Sequence, residues 1–216
     1  MGKAIYTGVS GVARNVTAPY IGVEGVSRKV TNGYIGVNGV ARQFFNSGII
    51  FENGAGNITV TQLNYTSDAS KGPHARIDSG NVAIYDPVGT SSSSRICYGF
   101  AGLYTNNKIS LDRYSSIKVT FCGAQLTTYP AKHYMFIKVG DTIDLDSATS
   151  GSIKRIYRYN YTSGTGEYNW GNWEDTTMSL DISSVSGEYY IKVGYYCGVM
   201  EANVDVMHIK KVELIE

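Results

Sequence analysis

The chain has 216 residues, of which 17% are charged and 12% aromatic, and its formal net charge is +1. A charge so close to neutral gives no general attraction to nucleic acid or to an anionic membrane. With 25 glycines, 18 tyrosines and long Ser/Thr/Asn stretches, the composition instead fits a neutral, β-rich surface of the kind found on extracellular or virion proteins. The length allows one substantial domain and a small appendage. What charge asymmetry there is lies at the front: residues 1–48 hold Lys3, Arg14, Arg28, Lys29 and Arg42 against Glu24 alone. These arginines recur at regular intervals without clustering among aromatics, which disfavours a nucleic-acid binder.

The opening "MGKAIYTGVSG" contains no apolar run, so neither a secretory signal nor membrane insertion is expected. The expected route is synthesis in the bacterial cytoplasm and release by lysis or inside a particle. Cys97, Cys122 and Cys197 are odd in number and lack metal-ligand spacing. Cys197 continues the alternating row Ile191, Val193, Tyr195 and is read as a buried core thiol.

Residues 4–44 repeat one motif three times. Tyr6, Tyr20 and Tyr34 lie 14 residues apart, as do Gly8, Gly22 and Gly36, Gly11, Gly25 and Gly39, and Arg14, Arg28 and Arg42. Ser10-Gly11, Glu24-Gly25 and Asn38-Gly39 each sit between two short strand-like runs and predict two-residue hairpin turns. In the second copy that places Val23 opposite Val26, Gly22 opposite Ser27 and Ile21 opposite Arg28. Six short strands in a β-meander are expected over residues 1–48, with Arg14, Arg28 and Arg42 on one face about 9–10 Å apart. Two readings of the arginines stand: stems covering apolar surface with heads in water, or a ladder docking on an acidic partner. A ribbon this thin is marginal alone, so attachment or oligomerisation is its expected work.

From residue 49 to 216 short alternating runs separated by Gly, Ser, Asn and Asp predict about nine strands. These are 57–65, 80–85, 95–104, 115–123, 133–140, 152–161, 167–182, 188–198 and 204–215. In 115–123, Ile117, Val119 and Phe121 point one way and Lys118, Thr120 and Cys122 the other. In the last run the apolar spacing changes from Met207/Ile209 to Val212/Leu214, which predicts a bulge at Lys210-Lys211. No stretch carries a sustained helical period. The fold class is therefore all-β: a hairpin-repeat meander followed by a two-sheet, jelly-roll-like β-sandwich.

The module "YIGVNGVARQF" (34–44) resembles the short repeats that open many small structural proteins of Gram-positive phages and prophages. The following domain, with "LDISSVSGEYYIKVGY" (180–195) and the closing "IKKVELIE" (209–216), resembles their jelly-roll, carbohydrate-binding-type tail-associated domains. That resemblance implies a virion or tail component near the host-contacting end. Its partners would be other tail proteins or copies of itself, with a trimer typical of such proteins, and a host-surface glycan.

Catalytic motifs are sparse. There is no HExxH, CxxC, complete P-loop or GxSxG; "GVSGVA" (8–13) has Val12 where the last needs glycine. Glu167, Glu174, Asp175 and Glu188 offer carboxylates, but nothing marks a glycosidase pair. His74, His133 and His208 fall in separate segments, and His208 is read as a satisfied structural imidazole. No catalytic residue and no cofactor are expected. Asp141, Asp144 and Asp146 share one loop that could hold Ca²⁺ but lacks EF-hand spacing; a solvated acidic loop is the simpler reading. In 155–175, Tyr157, Tyr159 and Tyr161 fall on one face of a strand. "TSGTG" then turns the chain toward Tyr168, Trp170 and Trp173, with Asn169 and Asn172. Rings flanked by amides suit a sugar, the ring covering its C–H face and the amides its hydroxyls; the alternative is an aromatic row filling the core. The glycan set is thus Tyr157, Tyr159, Tyr161, Trp170, Asn172 and Trp173. The function these features imply is a non-enzymatic phage structural protein. A bacterial carbohydrate-binding module unconnected with a phage, or a glycoside-active enzyme, are the alternatives.

Overall fold

In the computed structural model the described residues are 6–9, 12–15, 20–23, 26–29, 32–37 and 40–46, as backbone alone, and 48–64, 72–86, 99–123, 133–144, 152–159, 173–197 and 204–216. The chain divides into two compact units, Met1–Ile49 and Ile50–Glu216.

The first unit consists of hairpins. Strands β1 (Tyr6–Val9) and β2 (Val12–Asn15), β3 (Tyr20–Val23) and β4 (Val26–Lys29), and β5 (Asn32–Val37) and β6 (Val40–Asn46) pair antiparallel. The register is the one the Xaa-Gly turns dictate: Val9 meets Val12, Val23 meets Val26 and Val37 meets Val40. Ile21 faces Arg28, and Ile35 faces Arg42. In the third hairpin the pairing shifts between Gly33 and Tyr34. Each hairpin is a separate two-stranded sheet. The meander therefore resolves into three self-contained hairpins among the described residues, and the 9–10 Å spacing of the arginines across a continuous sheet does not carry over. Pro19, which has no N–H to give a ladder, stands just before β3. The side chains of Arg14, Arg28 and Arg42 lie outside the described residues.

The second unit is a sandwich of two antiparallel sheets. Its strands are β7 (Ile49–Glu52), β8 (Ala55–Gly56), β9 (Ile58–Asn64), β10 (His74–Asp78), β11 (Asn81–Asp86), β12 (Gly99–Thr105) and β13 (Ile109–Ser110). They continue with β14 (Ser116–Gly123), β15 (His133–Gly140), β16 (Ser152–Tyr159), β17 (Thr176–Asp181), β18 (Glu188–Cys197) and β19 (Val204–Ile215). One sheet runs β10-β11-β19-β14-β17, with β7 on β19 and β8 on β7; the other runs β16-β15-β18-β12-β9, with β13 on β18. From β9 onward the chain passes repeatedly from sheet to sheet, as in a jelly roll.

The core is the alternating row of each strand turned inward. β14 contributes Ile117, Val119 and Phe121, and β19 contributes Met207, Ile209, Val212 and Leu214. β15 contributes Met135, Ile137 and Val139, and β18 contributes Ile191, Val193, Tyr195 and Cys197. Full burial of such a side chain is worth roughly 1.5–3 kcal/mol. The change of spacing in β19 is a bulge: Thr120 faces Lys211 and Phe121 faces Ile209, so Lys210 is the extra residue. It keeps Val212 and Leu214 on the core side beyond Ile209. A second irregularity lies at Val206, since Ile84 faces Met207 and Tyr85 faces Asp205.

The short strands β7, β8, β10 and β13 were not among the sequence expectations. They are two to five residues long and give too little alternation to read. β10 is also an edge strand and leaves Ile77 half exposed. At that edge the His74 imidazole Nδ1 lies 2.6 Å from Gln62 Oε1 of β9, joining one sheet to the other.

Gly102 of β12 and Gly194 of β18 face each other. A Cβ at Gly102 would lie 2.2 Å from the Val193 carbonyl oxygen and 2.5 Å from Gly194 Cα. Backbone cannot yield to it, so Gly102→Ala is expected to destabilise the unit by roughly 3 kcal/mol or more. Urea denaturation of residues 49–216 measures it, and an unchanged midpoint would show that the strands part easily.

Candidate ligand-binding face

Alternation puts half of each strand of the six-stranded sheet on the side away from the core. Normally such a face is polar. Here it holds a second apolar cluster, with Phe100 and Phe136 fully buried and Tyr134, Tyr157 and Tyr196 partly buried around them. Strand register arranges these residues in rows across the sheet. One row is Phe100 (β12), Tyr196 (β18) and Tyr134 (β15). The next is Gly102, Gly194, Phe136 and Tyr157. The third is Tyr104, Lys192, Lys138 and Arg155.

The first row is held by ring contacts. Tyr134 and Tyr196 stack with centroids 4.8 Å apart and planes 25° apart, and Phe100 lies 4.8 Å from Tyr196. Tyr157 meets Tyr134 edge-on at 5.1 Å, and Phe100 meets Phe136 edge-on at 5.7 Å. The middle row explains how Phe136 fits: Gly194 beside it has no side chain, and a Cβ there would come within 2.9 Å of the Phe136 ring.

The third row carries charge into this apolar ground. Lys138 is fully buried and Lys192 is 2% exposed. The Lys138 ammonium sits in a cage of rings, 4.5 Å from the centre of Phe136, 4.9 Å from Phe100 and 5.7 Å from Tyr157. Such desolvated cation–π contacts can each be worth about 2 kcal/mol. The Arg155 guanidinium lies 5.6 Å from the Tyr157 ring. Lys192 stands directly opposite Lys138 without a ring cage of its own among the described residues. Burial pushes its pKa below the ordinary lysine value, and the charge of Asp144 opposes that only in part.

Of the residues expected to meet a glycan, Tyr157 belongs to this face. Tyr159 is at the next outward position of β16, opposite Tyr134, though its side chain is outside the described residues, as are Tyr161, Trp170 and Asn172. Trp173 is elsewhere. β17 pairs with β14 of the seven-stranded sheet, so the segment 155–175 does not join Tyr157 and Trp173 in one hairpin. Trp173 is 42% exposed, and its backbone N–H donates to the Gly123 carbonyl at 3.0 Å. Its φ of 59° is in the left-handed region, unusual for so large a residue. The ring rests 4.8 Å from the His208 imidazole.

His208 is not the satisfied imidazole expected. Its Nε2 is buried without a hydrogen-bond partner, and the nearest carboxylate oxygen, Asp205 Oδ2, is 3.5 Å away. The ring is held by packing under Trp173. Asp141 is engaged by Lys108 at 2.8 Å, Asp144 is exposed, and Asp146 is outside the described residues. Among the described residues no group of three or more His, Cys, Asp or Glu side chains could hold a metal ion. Cys122 and Cys197 are buried and form no disulfide among the described residues.

Phe100, Phe136, Tyr134, Tyr196, Lys138 and Lys192 were missed as site residues. A usable signal was present: "IKVG" occurs at 137–140 and again at 191–194, two strands with lysine amid aromatics.

No family model matches the chain, and no characterised protein matches it by sequence. Solved structures similar to it include the K3 cleaved adhesin domain of Lys-gingipain from Porphyromonas gingivalis w83, at 10% identity and TM-score 0.43 over 73% of this chain and 91% of that one. A mutant of the family 29 carbohydrate-binding module CBM29-2 is similar at 16% identity and TM-score 0.38, over 76% and 87%. The glycoside hydrolase domain Endo-D from Streptococcus pneumoniae R6 matches at 11% identity and TM-score 0.44, over 72% of this chain but 21% of that one. All three likenesses have TM-scores below 0.5 and identities of 16% or less.

The lysine row makes a prediction about stability. Lys192 binds its proton less tightly folded than unfolded, where its value is near 10.5. Between those two values the unfolded chain holds more protons, so the cost of the buried charge fades as pH rises. Lys192→Met is expected to melt above the parent below the folded pKa. That advantage should shrink as pH approaches 10.5, as read from urea midpoints over a pH series. A difference that stays flat with pH would mean the ammonium is solvated.

Proposed function

We propose that residues 50–216 form a non-catalytic glycan-binding module, carried by the N-terminal hairpins on a phage or prophage particle. The observation that carries the binding role is the outward face of the six-stranded sheet. Partly exposed Tyr134, Tyr157 and Tyr196 lie there on a base of buried Phe100 and Phe136. An apolar, ring-lined platform bordered by Lys and Arg donors matches what a saccharide offers, C–H faces ringed by hydroxyls. The similarity of fold to a carbohydrate-binding module agrees with this.

The particle setting rests on the repeat motif and its resemblance to phage structural proteins. Two-stranded hairpins are marginal alone, and three repeated ones, with Thr7, Ile21 and Ile35 opposite arginine, invite cover by further copies of the chain or by a docking protein.

Glycan-array binding of residues 49–216 tests the module. Tyr134→Ala and Tyr196→Ala are expected to weaken a detected interaction by up to roughly tenfold each with cooperative melting retained; unchanged binding would move the site off this face. Deleting residues 1–48 is expected to lower the oligomeric state or abolish incorporation into particles, while the remainder still melts cooperatively. Light scattering and particle assays read this out, and identical behaviour of both forms would end the attachment role. Arg28→Glu should act in the same direction more weakly.

A further inference from the structure

We propose that the outward face of the six-stranded sheet takes an anionic saccharide, whose carboxylate or phosphate lies against Lys192 while its rings extend over the tyrosines. This rests on the glycan-binding reading above and narrows it to a chemical class.

Three cationic side chains occupy successive positions of one row: Lys192 on β18, Lys138 on β15 and Arg155 on β16. With strands about 4.8 Å apart, the row spans roughly 10 Å. Like charges directly opposite each other destabilise a sheet, and burying an ammonium without a counter-charge costs more still. Lys138 is compensated by its aromatic cage. Lys192 is not: among the described residues it forms no ion pair, though it is 2% exposed. Asp141, the acid at the end of β15, is held by Lys108, and Asp144 acts on Lys192 only as a charge at a distance. The one sealed side-chain polar atom without a hydrogen bond among the described residues is His208 Nε2. The Lys192 ammonium is not a sealed atom of that kind, and the residue's remaining 2% exposure is the narrow access that an anion would widen to meet it.

A neutral sugar would leave that charge unanswered. A carboxylate or phosphate oxygen would accept a charge-assisted hydrogen bond from it, of the stronger kind, and would relieve the repulsion from Lys138. The row of Tyr134 and Tyr196 lies two pleat repeats along the strands, roughly 13 Å away. A ligand of several sugar rings would thus meet charge at one end and aromatic surface at the other.

The test is calorimetric titration of residues 1–216 with oligogalacturonate, with the same oligosaccharide fully methyl-esterified, and with a glycerol-phosphate polymer. The esterified form keeps the rings and loses the charge. The expected result is that one of the two anionic probes binds at least roughly tenfold tighter than the ester. That preference should weaken with salt and disappear in Lys192→Met. Oligogalacturonate or the phosphate polymer as the winning arm tells carboxylate from phosphate. Equal binding of the acid and its ester, with the phosphate polymer no tighter, would overturn the anionic assignment and leave the glycan-binding reading standing. Absence of binding by all three, with an empty glycan array, would overturn both. A charge preference that persists in a folded Lys192→Met would also overturn the assignment.

Discussion

Strand β18 is all but closed to water on both sides from Ile191 to Tyr195. Its inward residues Ile191, Val193 and Tyr195 lie in the sandwich core, and its outward Lys192 and Gly194 are buried as well. A strand closed on both faces must satisfy two packing problems at once, and it does so with opposite means. Inside, large side chains fill the space between sheets. Outside, a glycine lets β12 and β18 approach and makes room for the Phe136 ring. The outward cluster follows from that arrangement, because rings from β12, β15 and β16 converge over the sheet beside Gly102 and Gly194.

The polar groups on the two outward faces are handled differently. On the seven-stranded sheet Arg76 bridges Asp78 and Asp205, Lys210 pairs with Asp175 and Lys211 pairs with Glu213. The Arg76 and Lys210 pairs are substantially exposed and worth little individually, and the Lys211 pair is more sheltered. On the six-stranded sheet Lys138 is buried among rings, and Lys192 is buried beside it. Charge in the first setting keeps the surface wetted; in the second it is an expense that a purely structural sheet has no reason to carry. This contrast, more than the aromatic content of either face, distinguishes the two sides of the sandwich.

Much of the fold could be read from the sequence because local chemistry decides it. Asn38-Gly39 admits one favoured turn, and the turn fixes the register of Val37 against Val40. Ile117, Val119 and Phe121 alternate without interruption, and the break in alternation at Lys210 has one simple structural meaning. Site residues were harder to read for an equally physical reason. Alternation says that Lys138 and Lys192 face away from the core, and a lysine facing away is ordinarily in water. Their burial depends on which strands lie side by side, and β15 and β18 are about fifty residues apart in the chain. The same limit misplaced Trp173: proximity in sequence to Tyr157 implied a hairpin, whereas pairing of β17 with β14 carried it to the other sheet.

The closed pairing of the N-terminal hairpins also bears on how such a chain can change length. Among the described residues each of β1–β2, β3–β4 and β5–β6 pairs only within itself, so the registers are independent. Adding or losing one fourteen-residue unit would leave every other register intact, whereas an insertion in a continuous sheet would shift its neighbours. Unequal recombination between near-identical copies would then leave the pairing within each remaining copy unchanged. The number of hairpins becomes a quantity that selection can tune, stepwise, without touching the sandwich that follows.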